Sequence, residues 1–237
     1  METSNRNISF FFIAVAIVIF IGFFKTYFGL FPFFSGVDAF HHFHAIVLIT
    51  WLVLLIVQPI LIQQKKFRLH RWLGKFSYFL VPFIVASMLM AYRVQYFRLD
   101  KLGISKVENL GLLFTPFTDI FPFVTFYILA IVNVRNTPAH VRYIVATALI
   151  VVGAGIVRTL TLLVKFDDIL TYFLTSIIIT ALLFMLFILL DLIKGKAVLK
   201  NPMTLAFLVF LIPNALFFVI PQTAWWQTIA AGIVKIM

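Results

Sequence analysis

HHFHAIVLITWLVLLIVQPILIQQKKFRLHRWLGKFSYFL, residues 41–80, decides the fold. A helix crosses the hydrocarbon core of a bilayer with roughly 20 apolar residues, and residues 43–63 supply them. The run QQKKFRLHRWLGK then places Lys65, Lys66, Arg68, Arg71 and Lys75 within eleven residues, and a second apolar run begins. A tight basic loop between two apolar spans is the pattern of a short cytoplasmic connection. Within the first span His41, His44, Leu48, Trp51, Leu55, Gln58 and Ile62 follow the spacing 3, 4, 3, 4, 3, 4. That spacing keeps them on one helical face. His44, Trp51 and Gln58 therefore form a polar stripe on an aliphatic helix. Polar groups facing lipid are costly, so the stripe is predicted to face protein. Its plain reading is hydrogen bonding between helices with Trp51 as packing. Its functional reading is one wall of a ligand, metal or cofactor site.

The rest of the chain repeats this alternation. Of 237 residues 63% are hydrophobic, 30 are Phe and only 11% are charged, which is more apolar surface than a soluble domain of this length can bury. The runs are long and continuous, so a transmembrane barrel is excluded. The spacing predicts an all-α polytopic transmembrane helix bundle, one integral membrane domain over residues 1–237. Seven spans are expected, at about 8–24, 43–63, 73–95, 112–134, 139–164, 169–193 and 203–221. The first is read as a retained helix, because no small-residue cleavage site follows it. The formal charge of +11 does not point to nucleic acid, since the basic residues cluster in short loops beside spans. No cysteine is present, which removes disulfides and thiolate chemistry. Lys and Arg counts put the N-terminus inside and the C-terminus outside. The setting this implies is a membrane, with the lipid bilayer as the first partner and subunits of a membrane complex as further ones. Span six, almost wholly aliphatic until Asp191, is expected at the bundle periphery. Trp225 and Trp226 in the amphipathic tail are expected as interface anchors.

Folded this way, the polar residues sort into two levels. Toward the outer side lie His41, His42 and His44, Tyr92 and Arg93, and inside the spans Asp119 and Arg158. The last two are each on the order of 10 Å deep on consecutive helices at 1.5 Å per residue. A charge alone in hydrocarbon is costly, so Asp119 and Arg158 are expected to pair. With Trp51, Gln58 and Arg93 they would line a ligand pocket. Toward the inner side lie His70 and His140, followed by Arg71 and Arg142 in the echoing runs RLHRWLG and PAHVRY. A haem needs two imidazoles at one depth and cations for its propionates. His70 and His140, with His44 as a further candidate, are the expected cofactor ligands, and Arg71 and Arg142 the balancing cations. A divalent metal wants a compact set of His and carboxylate ligands, for which His41, His44 and Asp119 are the candidates. The chain has no HExxH, Walker, GxSxG or dinucleotide-binding fingerprint, so no catalytic residue is assigned and enzymatic activity stays open.

The pattern His42 or His44, Trp51, Gln58, His70, Arg71, Gly74, then Asp119, then His140, Arg142 and Arg158, covers about residues 40–160. It resembles an uncharacterised family of bacterial multi-pass membrane proteins with Phe- and Ile-rich members in flavobacteria and their relatives. The resemblance implies a multi-pass bundle in a bacterial inner membrane and brings no activity. The His-Arg pair at a helix start is more distantly similar to membrane families linked to haem or copper handling in oxidase assembly. Three functions follow as expectations: a histidine-based haem or metal site for redox or cofactor handling, a carrier or receptor for a small anionic or lipidic ligand, and a structural subunit of a membrane complex.

Overall fold

A computed structural model describes residues 2–166, 169–195 and 197–237 of the chain, with side chains omitted at 2–6, 169 and 199. Asp167, Asp168, Lys196 and the Arg6 side chain lie outside that description, Lys196 and Arg6 being members of the Lys and Arg counts. Among the described residues the regular structure is helical throughout: α1 (Glu2–Gly22), α2 (Ala39–Gln63), α3 (Phe67–Lys101), α4 (Lys106–Leu112), α5 (Thr115–Val132), α6 (Thr137–Leu163), α7 (Ile169–Ile193), α8 (Pro202–Leu216) and α9 (Ala224–Val234), with three short 3-10 turns. The chain is an all-α helical bundle. Six stretches, including α4 and α5 taken together, are long and apolar enough to cross a membrane. The apolar part of α1, Asn7–Gly22, is shorter.

Long-range contacts set the register. The α2–α3 turn brings Gln58 to His70, where the Gln58 amide donates to the His70 carbonyl at 3.2 Å. Further along the same antiparallel pair, His44 meets Ser87. Gln63 reaches Ser9 and Thr159 reaches the Val18 carbonyl, which places α1 against both α2 and α6. Ser176 donates to the Gly153 carbonyl, closing α7 onto α6. Two ends result, one marked by Asp38 and the other by Lys65. Helix α6 is the centre: half of its membrane-length window is buried, against 17% for α7. Its small residues allow this, since Ala146, Ala148 and Gly155 let neighbouring backbones approach closely. The main core joins Trp51, Ile84, Phe123, Phe126, Leu149 and Phe184. Helix α7 packs on α6 and α8 and turns Leu174, Ile178, Leu182 and Leu189 outward, the peripheral place its aliphatic sequence predicts.

Two boundaries differ from the sequence reading. Helix α3 has 35 residues and runs through the basic segment after Tyr92 to Lys101. At 1.5 Å per residue that is about 52 Å, well beyond the roughly 30 Å of hydrocarbon. Nothing in YFRLDK breaks a helix; the stop is Gly103, whose φ of +75 is left-handed. The second difference is the tail. Trp225 is exposed, but Trp226 is 3% exposed and donates its indole N–H to the Leu110 carbonyl. Helix α9 thereby closes a small satellite core with Tyr96, Leu113 and Phe114.

Candidate functional site

At the Asp38 end the expected constellation disperses. Asp38 caps α2, its carboxylate accepting from the His41 backbone N–H at 2.9 Å and from His41 Nδ1 at 2.6 Å. His42 Nδ1 pairs with the Tyr27 hydroxyl at 3.0 Å. His44 Nδ1 lies 3.0 Å from Ser87 Oγ, and Ser87 donates its proton to the Ile84 carbonyl. Ser87 Oγ therefore accepts, and His44 carries its proton on Nδ1. Asp119 accepts from the Tyr92 hydroxyl at 2.5 Å, with Thr118 beside it at 3.4 Å. The expected metal set of His41, His44 and Asp119 is thus split among Asp38, Ser87 and Tyr92. Among the described residues no group of three or more His, Asp or Glu could hold a metal ion.

The expected Asp119–Arg158 pair also does not form. Arg158 stacks its guanidinium on the Phe23 ring, 4.4 Å from the centroid, at the surface of the bundle. Equal depth brought these two residues to one level, but depth says nothing of azimuth. Helix α5 turns Asp119 toward α3, and α6 turns Arg158 toward the end of α1.

The Asp38 cap carries a pH signature. The His41 backbone N–H, then the His41 ring, hold the Asp38 carboxyl below its ordinary value of 3.8. A depressed carboxyl contributes while ionised and loses that contribution as pH falls through its folded value. The first turn of α2 is therefore intact at neutral pH and loosens on acidification below about pH 4. In Asp38→Asn the amide still caps, and the acid-induced rise in amide exchange at His41 disappears. Hydrogen exchange across that window checks both results.

At the Lys65 end, Arg142 is not available to balance a cofactor. Its Nε donates to Asp191 Oδ2 at 2.7 Å and its Nη2 donates to Oδ1 of the same carboxylate. Asp191 is wholly buried. The sequence offered a signal for this pair, two opposite charges at one end of consecutive spans, and the reading above passed over it. Arg71 is exposed. His140 Nδ1 lies 2.8 Å from the Ala130 carbonyl. A carbonyl only accepts, so Nδ1 is protonated and Nε2 of the neutral ring keeps its lone pair. His70 lies within electrostatic reach of His140.

The His44, Trp51, Gln58 stripe does face protein, as its spacing predicts. His44 meets α3 at Ser87, and Gln58 meets α3 at His70. Trp51 packs edge-on against Phe123 and Tyr127 of α5 at 5.6 and 5.9 Å.

A site that the sequence reading missed lies on the protruding end of α3. Arg93, Val94, Phe97, Arg98, Lys101 and Leu102 line a groove of about 490 Å3. They repeat every four residues, so cations and apolar side chains share one helical face. Arg93 Nε donates to the Met237 carbonyl at 2.5 Å, and its guanidinium lies 5.4 Å from the Phe97 ring. Arg158 lies within electrostatic reach of Arg98. Of the expected pocket residues only Arg93 belongs to this groove; Trp51, Gln58, Asp119 and Arg158 do not line it. Compared with models of known families, with curated proteins and with solved structures, the chain matches none.

Proposed function

We propose that this multi-pass helical membrane protein is a carrier or receptor for a lipid with an anionic phosphate headgroup. The observation that carries the reading is the α3 groove, where Arg93, Arg98 and Lys101 share one helical face with Val94, Phe97 and Leu102. Cations over an apolar floor complement an amphiphile that bears phosphate at one end and hydrocarbon at the other. The groove follows directly on an apolar span, at the depth where headgroups lie. By the Lys and Arg counts this end faces outward from a bacterial inner membrane. The resemblance to flavobacterial-type membrane proteins fits that location.

Titration of the purified protein, held in phosphatidylcholine nanodiscs, with dioctanoyl phosphatidylglycerol tests the reading. A basic residue near a membrane surface is worth about 1 kcal/mol toward an anionic lipid. Loss of two, in Arg98→Gln/Lys101→Gln, is expected to weaken binding by roughly 30-fold. Added dioctanoyl phosphatidylcholine is expected to bind far more weakly than the glycerol lipid. Equal affinity for the two lipids, or no effect of the double substitution, sinks the reading.

A histidine-held haem or metal for redox or cofactor handling is the weaker reading. One feature favours it: the Ala130 carbonyl orients His140 and leaves Nε2 as a free ligand, as carbonyl partners do for metal-bound histidines. Against it, Arg142 is committed to Asp191, and His44 lies at the opposite end from His70 and His140.

A further inference from the structure

We propose that α2, α3 and α5 enclose a hydrated half-channel, which admits water and protons from the Lys65 end as far as the Trp51–Tyr127 contact. Three buried polar atoms along this seam have no hydrogen-bond partner among the described residues: Trp51 Nε1, Gln58 Oε1 and His70 Nδ1. Trp51 is only 2% exposed. An unpaired buried donor or acceptor is left with its desolvation uncompensated, and the bilayer offers no other partner at that depth. Water is the ligand whose chemistry fits all three. It accepts from the indole N–H, donates to the amide oxygen and does either for the imidazole.

The seam is built for this on both walls. Trp51 and Gln58 are seven residues apart on α2, about 10.5 Å along the axis. Opposite them on α3 stand His70, Gly74 and Ser77, which share a face by their spacing. A Cβ added at Gly74 would lie 3.8 Å from Gln58 Nε2, so the glycine keeps the wall thin beside the amide. Ser77 Oγ and the Tyr127 hydroxyl meet at 2.8 Å and continue the line of exchangeable protons inward. His140, on α6, adds a second imidazole within reach of His70 at the mouth. Beyond Trp51 the seam ends among apolar side chains: Phe123 packs edge-on against the Trp51 ring, and Ile84 and Phe123 are both fully buried. The two polar levels are thus not one path. Water and protons enter and leave by the same mouth, and each side chain that accepts a proton returns it there.

Indole N–H exchange tests this directly. Protein labelled with 15N-tryptophan in nanodiscs gives four indole resonances, one per tryptophan, and Trp51→Phe identifies that of Trp51. Trp226 is the internal standard, because it is equally buried and its N–H is bonded to Leu110. The Trp51 proton is expected to exchange at least about 100-fold faster than that of Trp226, whose hydrogen bond must open before its proton exchanges. Gln58→Leu, which removes the middle of the file, is expected to slow it at least tenfold, roughly the effect of about 1.4 kcal/mol on an opening equilibrium. Exchange at Trp51 as slow as at Trp226 overturns the proposal. The absence of native cysteine supplies a second readout that does not depend on Gln58→Leu folding. Gly74→Cys is expected to react with a small cationic methanethiosulfonate applied from the Lys65 side and not from the other, while Ile84→Cys stays inert from both. Equal inertness of Gly74→Cys and Ile84→Cys overturns the proposal as well.

Discussion

Replacing Asp191 with alanine is expected to destabilise the protein by about 3–5 kcal/mol, the cost of stranding one member of a buried ion pair. Asp191 is wholly buried in the last turns of α7, and the Arg142 guanidinium grips both of its oxygens from α6. The paired, parallel geometry is what offsets the desolvation of two charges. A cation near the C-terminal end of α7 is further favoured by the helix dipole. Without the carboxylate, Arg142 keeps among the described residues the ring of Phe187, whose centroid is 5.8 Å away. A ring contact of that kind is worth on the order of 1 kcal/mol and does not neutralise a guanidinium. Arg142→Met removes the guanidinium from the same pair and is expected to destabilise as well. Arg142→Met/Asp191→Leu removes both charges and is expected to recover most of the loss. Thermal unfolding of the four proteins in one nanodisc lipid completes the cycle. A coupling energy of about 2 kcal/mol or more is the expected result; strictly additive single losses would show that the pair holds nothing together.

That pair also marks where a linear reading stops. The apolar runs spoke for the helices directly, because a period of hydrophobicity and a length are both local properties. The His44, Trp51, Gln58 stripe was legible for the same reason, as 3.6-residue geometry fixes which residues of one helix share a face. Contacts between helices depend on the rotation of each about its own axis, and no single span records that. Asp119 and Arg158 have matching depths and still look in different directions, toward Tyr92 and Phe23. Arg142 and Asp191 lie 49 residues apart and do meet. The α3 groove was hidden for a different reason. Arg98 and Lys101 fall beyond the expected end of the span at about residue 95, whereas the helix continues through them and sets Arg93, Phe97 and Lys101 in one row. Trp226 was hidden in turn because its partner carbonyl, at Leu110, belongs to a helix far away in sequence.

Gly22→Ala is expected to cost about 1–3 kcal/mol, the usual range for forcing extra volume into a packed interface. Helices gain little from apolar burial against one another inside a bilayer, so close backbone approach and exact fit carry much of their association. The crossing of α1 and α6 is made at such a point. A Cβ on Gly22 would lie 2.5 Å from the Gly155 carbonyl oxygen and 3.1 Å from Thr159 Oγ1. The first of these is a backbone atom in the middle of α6 and cannot swing aside as a flexible side chain would. Gly155 faces the reciprocal restriction, with the Ile19 Cα and Cγ1 each 3.1 Å from its added Cβ. Separating the helices to admit the methyl group also stretches the bond from Thr159 to the Val18 carbonyl, which stands at 3.3 Å. Gly232→Ala is the contrast. Nothing lies within 4 Å of its added Cβ in α9, so only the helix propensity changes, in favour of alanine by up to about 1 kcal/mol. Thermal unfolding together with hydrogen exchange separates the two. Gly22→Ala should lower the transition and deprotect α1 ahead of the rest, whereas Gly232→Ala should leave both readings level or slightly raised. An unchanged transition in Gly22→Ala would mean that the crossing yields at no cost and that α1 is held to the bundle by its other contacts, at Ser9 and Phe11.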